Sequence, residues 1–201
     1  MNGRTGLALI LLAVLGCVLY SMMQTQPASV NASLPLSAVR QQHRASSSIA
    51  PLGHLVGPPS ITGASIDQVL AAAHSPAVGI GETMYTLSVQ FHLDDAYALA
   101  FFHHESSYGK YGMAASTHSL GNIRCTAGSA CDPSGGYRAY PSWAAGAADW
   151  YTLMREVYLA HGLDTVQKII PVYAPNADHN NEAAYISSVL NDVASYRRGE
   201  V

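Results

Sequence analysis

The sequence predicts a mainly helical α+β domain, and three observations carry that prediction. Apolar residues recur at helical spacing through most of residues 61–198. One stretch, residues 113–141, breaks that period with turn formers, two cysteines and short Tyr or Ile segments. Ahead of both, residues 1–60 contain no acid and no helical period beyond one apolar N-terminal run.

That run lies in residues 1–23, MNGRTGLALILLAVLGCVLYSMM. Arg4 precedes an apolar segment from Leu7 to Tyr20, shorter than the about 20 residues a full span needs. The pattern is that of a signal peptide or a membrane anchor. A small-residue site, VNA, ends at Ala32, and VLGC ends at Cys17 in the manner of a lipoprotein signal. Retained, cleaved or lipidated, the segment sends the rest of the chain outside the cytoplasm. Residues 24–60 are rich in Ser, Ala, Pro and Gln and read as a flexible linker. The folded domain is therefore expected over 61–198.

Within it, SIDQVLAAAH forms a first helix with Ser65 as cap, and GIGETMYTLSVQFH a second. LDDAYALAFFHHESS is the third, with Asp94 as N-cap and Gly109 or Gly112 ending it. Residues 113–141 read as a loop or small β-hairpin. PSWAAGAADWYTLMREVYLAHG is a long helix capped by Ser142 and stopped by Gly162. Its apolar stripe is Trp143, Ala147, Trp150, Met154 and Val157. DTVQKII gives a short helix, PVYAPNADHNN a loop, and EAAYISSVLNDVASY the terminal helix.

Charge narrows the function. Of the chain's residues 11% are charged, and all 13 acids lie at Asp67 or later. From there on, seven Lys and Arg face those thirteen acids, a net charge of −6. An acidic domain without a basic cluster is not built to hold nucleic acid. Cys125 and Cys131, with five residues between them in CTAGSAC, suit a small disulfide loop, and no further ligands occur downstream at zinc-site spacing.

The segment FHHESSYGKYG places Glu105 three residues after Phe102 and four after Phe101, on an apolar helix face. A carboxyl half-buried at a helix end is pushed toward the range where it donates a proton at neutral pH. His103 and His104 do not make a zinc-protease motif, because Tyr108 stands where the second His would be. No Gly-x-Ser-x-Gly turn or phosphate loop occurs either. No cofactor is expected.

FFHHESSYGKYGMAASTHSLGNIRC, GGYRAYPSWAAGAADWYTLM and VYAPNADHNNEAAYISSVL together resemble the bacterial endo-β-N-acetylglucosaminidases of the autolysin and flagellar-hydrolase type. That family cuts peptidoglycan and belongs to the lysozyme-like superfamily. The similarity spans roughly residues 64–198. It implies a helical lobe and a small β lobe around a cleft, with Glu105 as general acid. Asn122 and Ile123 would line the cleft, and Tyr173 would stand across from Glu105. Tyr108, Tyr111, Tyr137 and Tyr140 are candidates to stack on sugar rings. Where many relatives read Asn-Leu-Phe-Gly-Ile, this chain has Ser119-Leu120-Gly121-Asn122-Ile123. A second carboxylate is ordinarily required; Asp132 is the candidate, although Asp before Pro is also an ordinary turn. Without it, the substrate's N-acetyl group or its 6-hydroxyl would act as nucleophile. Asp178 and Glu182 are expected to serve the last loop and helix N-terminus. The expected partner is a peptidoglycan strand, met by a monomer tethered to the membrane through its N-terminus. The alternatives are a lytic transglycosylase on the same fold and a non-catalytic glycan-binding or scaffold domain.

Overall fold

The computed structural model describes residues 49–134 and 136–200, and within them the protein is mainly helical. The predicted signal or anchor, Cys17 and most of the predicted linker lie outside the described residues. Among those described, no helix is long and apolar enough to cross a membrane.

The fold is built around one helix. Helix α1 spans Gly63–Ala72, α2 Gly81–Phe91 and α3 Asp95–Ser106. Asp94 caps α3 as expected, its carboxylate accepting the Ala96 N–H at 3.0 Å. Every α3 residue from Asp95 to Phe102 is buried, so α3 is a central helix rather than an amphipathic one. Helix α4 is a single turn, Ala114–Thr117, and α5 runs over Trp143–Leu153. Helices α6 (Val166–Tyr173) and α7 (Glu182–Arg197) complete the order, and α7 packs along α3. Trp150 of α5 meets Phe101 and Phe102 with ring centroids 5.3 Å apart in both cases. Burying such a ring contributes about 1.5–3 kcal/mol, so these three residues anchor α5 to α3.

Three helices differ from the predicted ones; of these, α6 runs on through Pro171 to Tyr173, into the predicted loop. Thr62, not Ser65, caps α1, its Oγ1 accepting the Ser65 N–H at 3.1 Å. The long helix after Ser142 does not stay α-helical. Beyond Leu153 it widens into a π-helical turn, Met154–Tyr158, and ends in a 3₁₀ turn before Gly162. The extra residue per turn shifts the register. Tyr158 is thereby 8% exposed, and the predicted stripe residue Val157 is 48% exposed.

The folded unit also begins earlier than residue 61. Leu55 is buried; its N–H donates to the Asp164 carbonyl at 3.0 Å and its carbonyl accepts the Asp94 N–H at 2.9 Å. The Gly53 N–H donates to Tyr97 Oη at 2.6 Å. Ser60 Oγ donates to Asp94 Oδ1 at 2.6 Å, and Arg197 of α7 reaches Asp94 Oδ2 at 2.6 Å. Residues 50–60 are thus a strap over the N-terminus of α3 and not linker.

The β region is slight. Two isolated antiparallel bridges, Arg124 with Tyr137 and Cys131 with Arg138, are what residues 113–141 form besides α4. Cys125 and Cys131 stand at disulfide distance, their Cα atoms 5.7 Å apart.

Candidate active site

Glu105 occupies the last turn of α3. The helix stops sooner than its glycines suggest, because Ser107, Tyr108 and Gly109 take positive φ in succession. Ser106 turns this break into a scaffold. Its hydroxyl donates to the Leu120 carbonyl at 2.9 Å and accepts the Gly109 N–H at 2.8 Å. The 119–123 loop is thereby held against the end of α3. Ser119 Oγ accepts the Ile123 N–H at 3.0 Å, closing the loop on itself.

The loop delivers Asn122 to Glu105. Asn122 Nδ2 donates to the Glu105 carbonyl at 2.7 Å and lies 3.4 Å from Glu105 Oε2. From α7, Tyr185 Oη donates to Glu105 Oε1 at 2.6 Å. Burial pushes the Glu105 carboxyl above the ordinary glutamate range. The hydrogen bonds from Tyr185 and Asn122 and the charge of Arg124 pull it partly back. Such a carboxyl is poised to give up a proton while its ionised form still has donors to receive it.

Glu105 opens onto a cleft of about 420 Å³, of the size that takes a small ligand. Asn122, Ile123, Tyr137 and Tyr173 also line it. Tyr173 is held by Gly121, to whose carbonyl its hydroxyl donates, and by Phe101, edge-on at 5.4 Å. Only glycine fits at 121. A Cβ there would lie 2.5 Å from Trp150 Cδ1 and 2.9 Å from Tyr173 Oη.

Four candidates stand elsewhere. Asp132 is not on the cleft wall; its carboxylate serves its own turn, accepting the Ser134 N–H at 3.0 Å, the Ser134 hydroxyl and the Tyr137 N–H at 2.7 Å. Those bonds, the Ser134 hydroxyl's first, hold it below the usual aspartate range. Tyr108 is buried behind α3, its hydroxyl 2.6 Å from Tyr196 Oη and its ring stacked on His103. Tyr111 is 65% exposed and away from the cleft. Tyr140 donates to Asp149 Oδ2 at 2.6 Å and so braces α5 rather than meeting a ligand.

The cleft also holds residues that sequence spacing did not single out, Arg124 and Tyr158 on its wall and Tyr185 bonded to Glu105; Asp178, expected to serve the last loop, lines the cleft as well. His103 pairs with Asp192 at 2.7 Å, and His104 stacks on Tyr185 with centroids 3.6 Å apart. Among the described residues, no three His, Cys, Asp or Glu side chains converge as a metal site would require.

No protein-family model matches this chain, and no curated protein matches it in sequence.

Proposed function

We propose that the protein is a peptidoglycan hydrolase that cleaves β-1,4 glycosidic bonds next to N-acetylglucosamine, with Glu105 as general acid. The observation that carries this reading is a carboxyl raised by burial, hydrogen-bonded by Tyr185 and facing a cleft lined by Tyr137, Tyr158 and Tyr173. Glu105 gives its proton to the glycosidic oxygen as the bond to C1 breaks, the leaving sugar departs as an alcohol, and water bonds to C1 and gives up a proton that restores the acid. The glutamate anion formed in between is stabilised by the Tyr185 hydroxyl. Aromatic side chains on the walls carry the sugar rings, and the acidic domain excludes nucleic acid as the polymer. A lysozyme-like arrangement of a helical lobe and a small β lobe is the architecture that fits this role. As a signal peptide or a membrane anchor, residues 1–23 would deliver the domain outside the membrane, secreted or tethered, where such a substrate lies.

With the carboxylate of Asp132 committed to its turn, Asp178, which lines the cleft with Glu105, is the remaining candidate for a second carboxylate. The same commitment of Asp132 favours one second reading, a lytic transglycosylase, in which the sugar's own 6-hydroxyl attacks C1 and water takes no part.

Digestion of purified cell walls by the full-length protein, with the products weighed by mass spectrometry, tests the proposal. Hydrolysis gives products with a free reducing end, and a transglycosylase gives species one water lighter. Glycan binding without products would favour a non-catalytic domain.

A further inference from the structure

Two arginines line the cleft, and their circumstances differ. Arg138 is committed: Nη1 donates to Asp149 Oδ2 at 2.7 Å and Nη2 to Thr126 Oγ1 at 2.9 Å. Arg124 is exposed and makes no salt bridge among the described residues. Its guanidinium carbon lies 4.9 Å from the centroid of the Tyr137 ring, the residue bridged to it across the β region. Stacking of this kind orders the guanidinium on one face and leaves its edge N–H groups free. Its charge also reaches Glu105, whose carboxyl it helps to hold down. The cleft wall therefore presents an oriented, uncompensated fork of donors within the electrostatic range of the reacting acid. The natural match for that fork is a carboxylate, which takes two parallel N–H bonds.

We propose that Arg124 is a specificity-determining residue that pairs with a carboxylate carried by the glycan, so that the cleft prefers an acidic strand over an uncharged one. The inference rests on the glycosidase reading. In a peptidoglycan strand the carboxylate comes from the lactyl ether of every second sugar or from the peptide stem attached to it. A chitin oligosaccharide has the same backbone linkage and no carboxylate. Pairing of an exposed guanidinium with a carboxylate is screened by water, and the preference it contributes is up to about fivefold in affinity.

The test compares full-length wild type with Arg124→Ala and Arg124→Lys on three glycans. These are strands bearing stem peptides, strands freed of their stems by an amidase, and chitin hexasaccharide. The quantity read is kcat/KM on each acidic strand divided by kcat/KM on the hexasaccharide. Arg124→Ala should lower that ratio by up to about fivefold, chiefly through KM, and Arg124→Lys should recover part of it. Loss on the stem-free strands assigns the lactyl carboxylate, and loss confined to stem-bearing strands assigns the peptide. An unchanged ratio overturns the proposal. If wild type cuts none of the three, the glycosidase reading fails, and calorimetry of the same glycans still decides this one. A preference for acidic strands that Arg124→Ala abolishes upholds it, and equal binding of acidic and uncharged glycans overturns it.

Discussion

Tyr185 Oη donates a 2.6 Å hydrogen bond to Glu105 Oε1, joining the first turn of α7 to the last turn of α3 across 80 residues. The hydroxyl favours the ionised carboxylate and so works against the burial that raises the group. Tyr185→Phe removes the opposing contribution, and the Glu105 carboxyl moves further up. A general acid is active while protonated, so the alkaline limb of kcat/KM shifts to higher pH in this variant. The pH–rate profile checks it, and a limb moved to lower pH would contradict the assignment.

On the proposed assignment the second carboxylate is Asp178 and not Asp132. Asp132→Asn should leave kcat within about threefold of wild type, whereas Asp178→Asn should lower it by about a hundredfold. Turnover on cell walls distinguishes them. The reverse order would return Asp132 to the mechanism.

Gly121 separates Trp150 from Tyr173, with no room for a methyl group. Gly121→Ala forces one of them to move, and overpacking of this kind costs about 1–3 kcal/mol. The variant should lose several degrees of Tm and, because Tyr173 is displaced, at least about tenfold in kcat/KM. Calorimetry and the cell-wall assay read the two effects separately.

Asp95 makes the fold sensitive to pH away from the cleft. It is fully buried beside Asp94; its Oδ1 accepts the Ser60 and Ile61 N–H groups, and its Oδ2 has no partner among the described residues. Burial, reinforced by the Asp94 charge, raises its carboxyl to about 7. An acid raised on folding binds its proton more tightly folded than unfolded. Its contribution is therefore full below the ordinary aspartate range and is lost as pH rises through about 7. Tm should fall by about 5 °C or more between pH 5 and pH 8, and Asp95→Asn should flatten that slope. A wild-type Tm that rises over the same interval would contradict this account of the pair.

What the sequence made legible was local. Asp94 and Ser142 announce helix starts because a capping oxygen acts within three residues; the spacing marks α3 as a helix, but α3 is buried all round up to Phe102, so it defines no single buried side for Glu105. The strap over residues 50–60 was hidden because it has no period: it is held by backbone bonds to Asp164, His92 and Asp94, which composition does not encode. The π-helical turn was equally hidden, since periodicity assumes a constant 3.6 residues per turn, and it moved Tyr158 inward in place of Val157. Tyr185 enters the site through a bond to a residue 80 positions away, and no spacing rule reaches that far. Asp132 reads in sequence both as a second carboxylate and as the Asp of an Asp-Pro turn, and the turn is what it forms, its oxygens bonded by Ser134 and Tyr137.

The most direct measurement is the turnover of purified cell walls by full-length Glu105→Gln beside wild type, with products identified by mass and folding checked by circular dichroism. Removal of a general acid is expected to cut the rate by about 10²–10⁴-fold with the fold intact. A folded variant that digests cell walls at the wild-type rate would contradict the role given to Glu105.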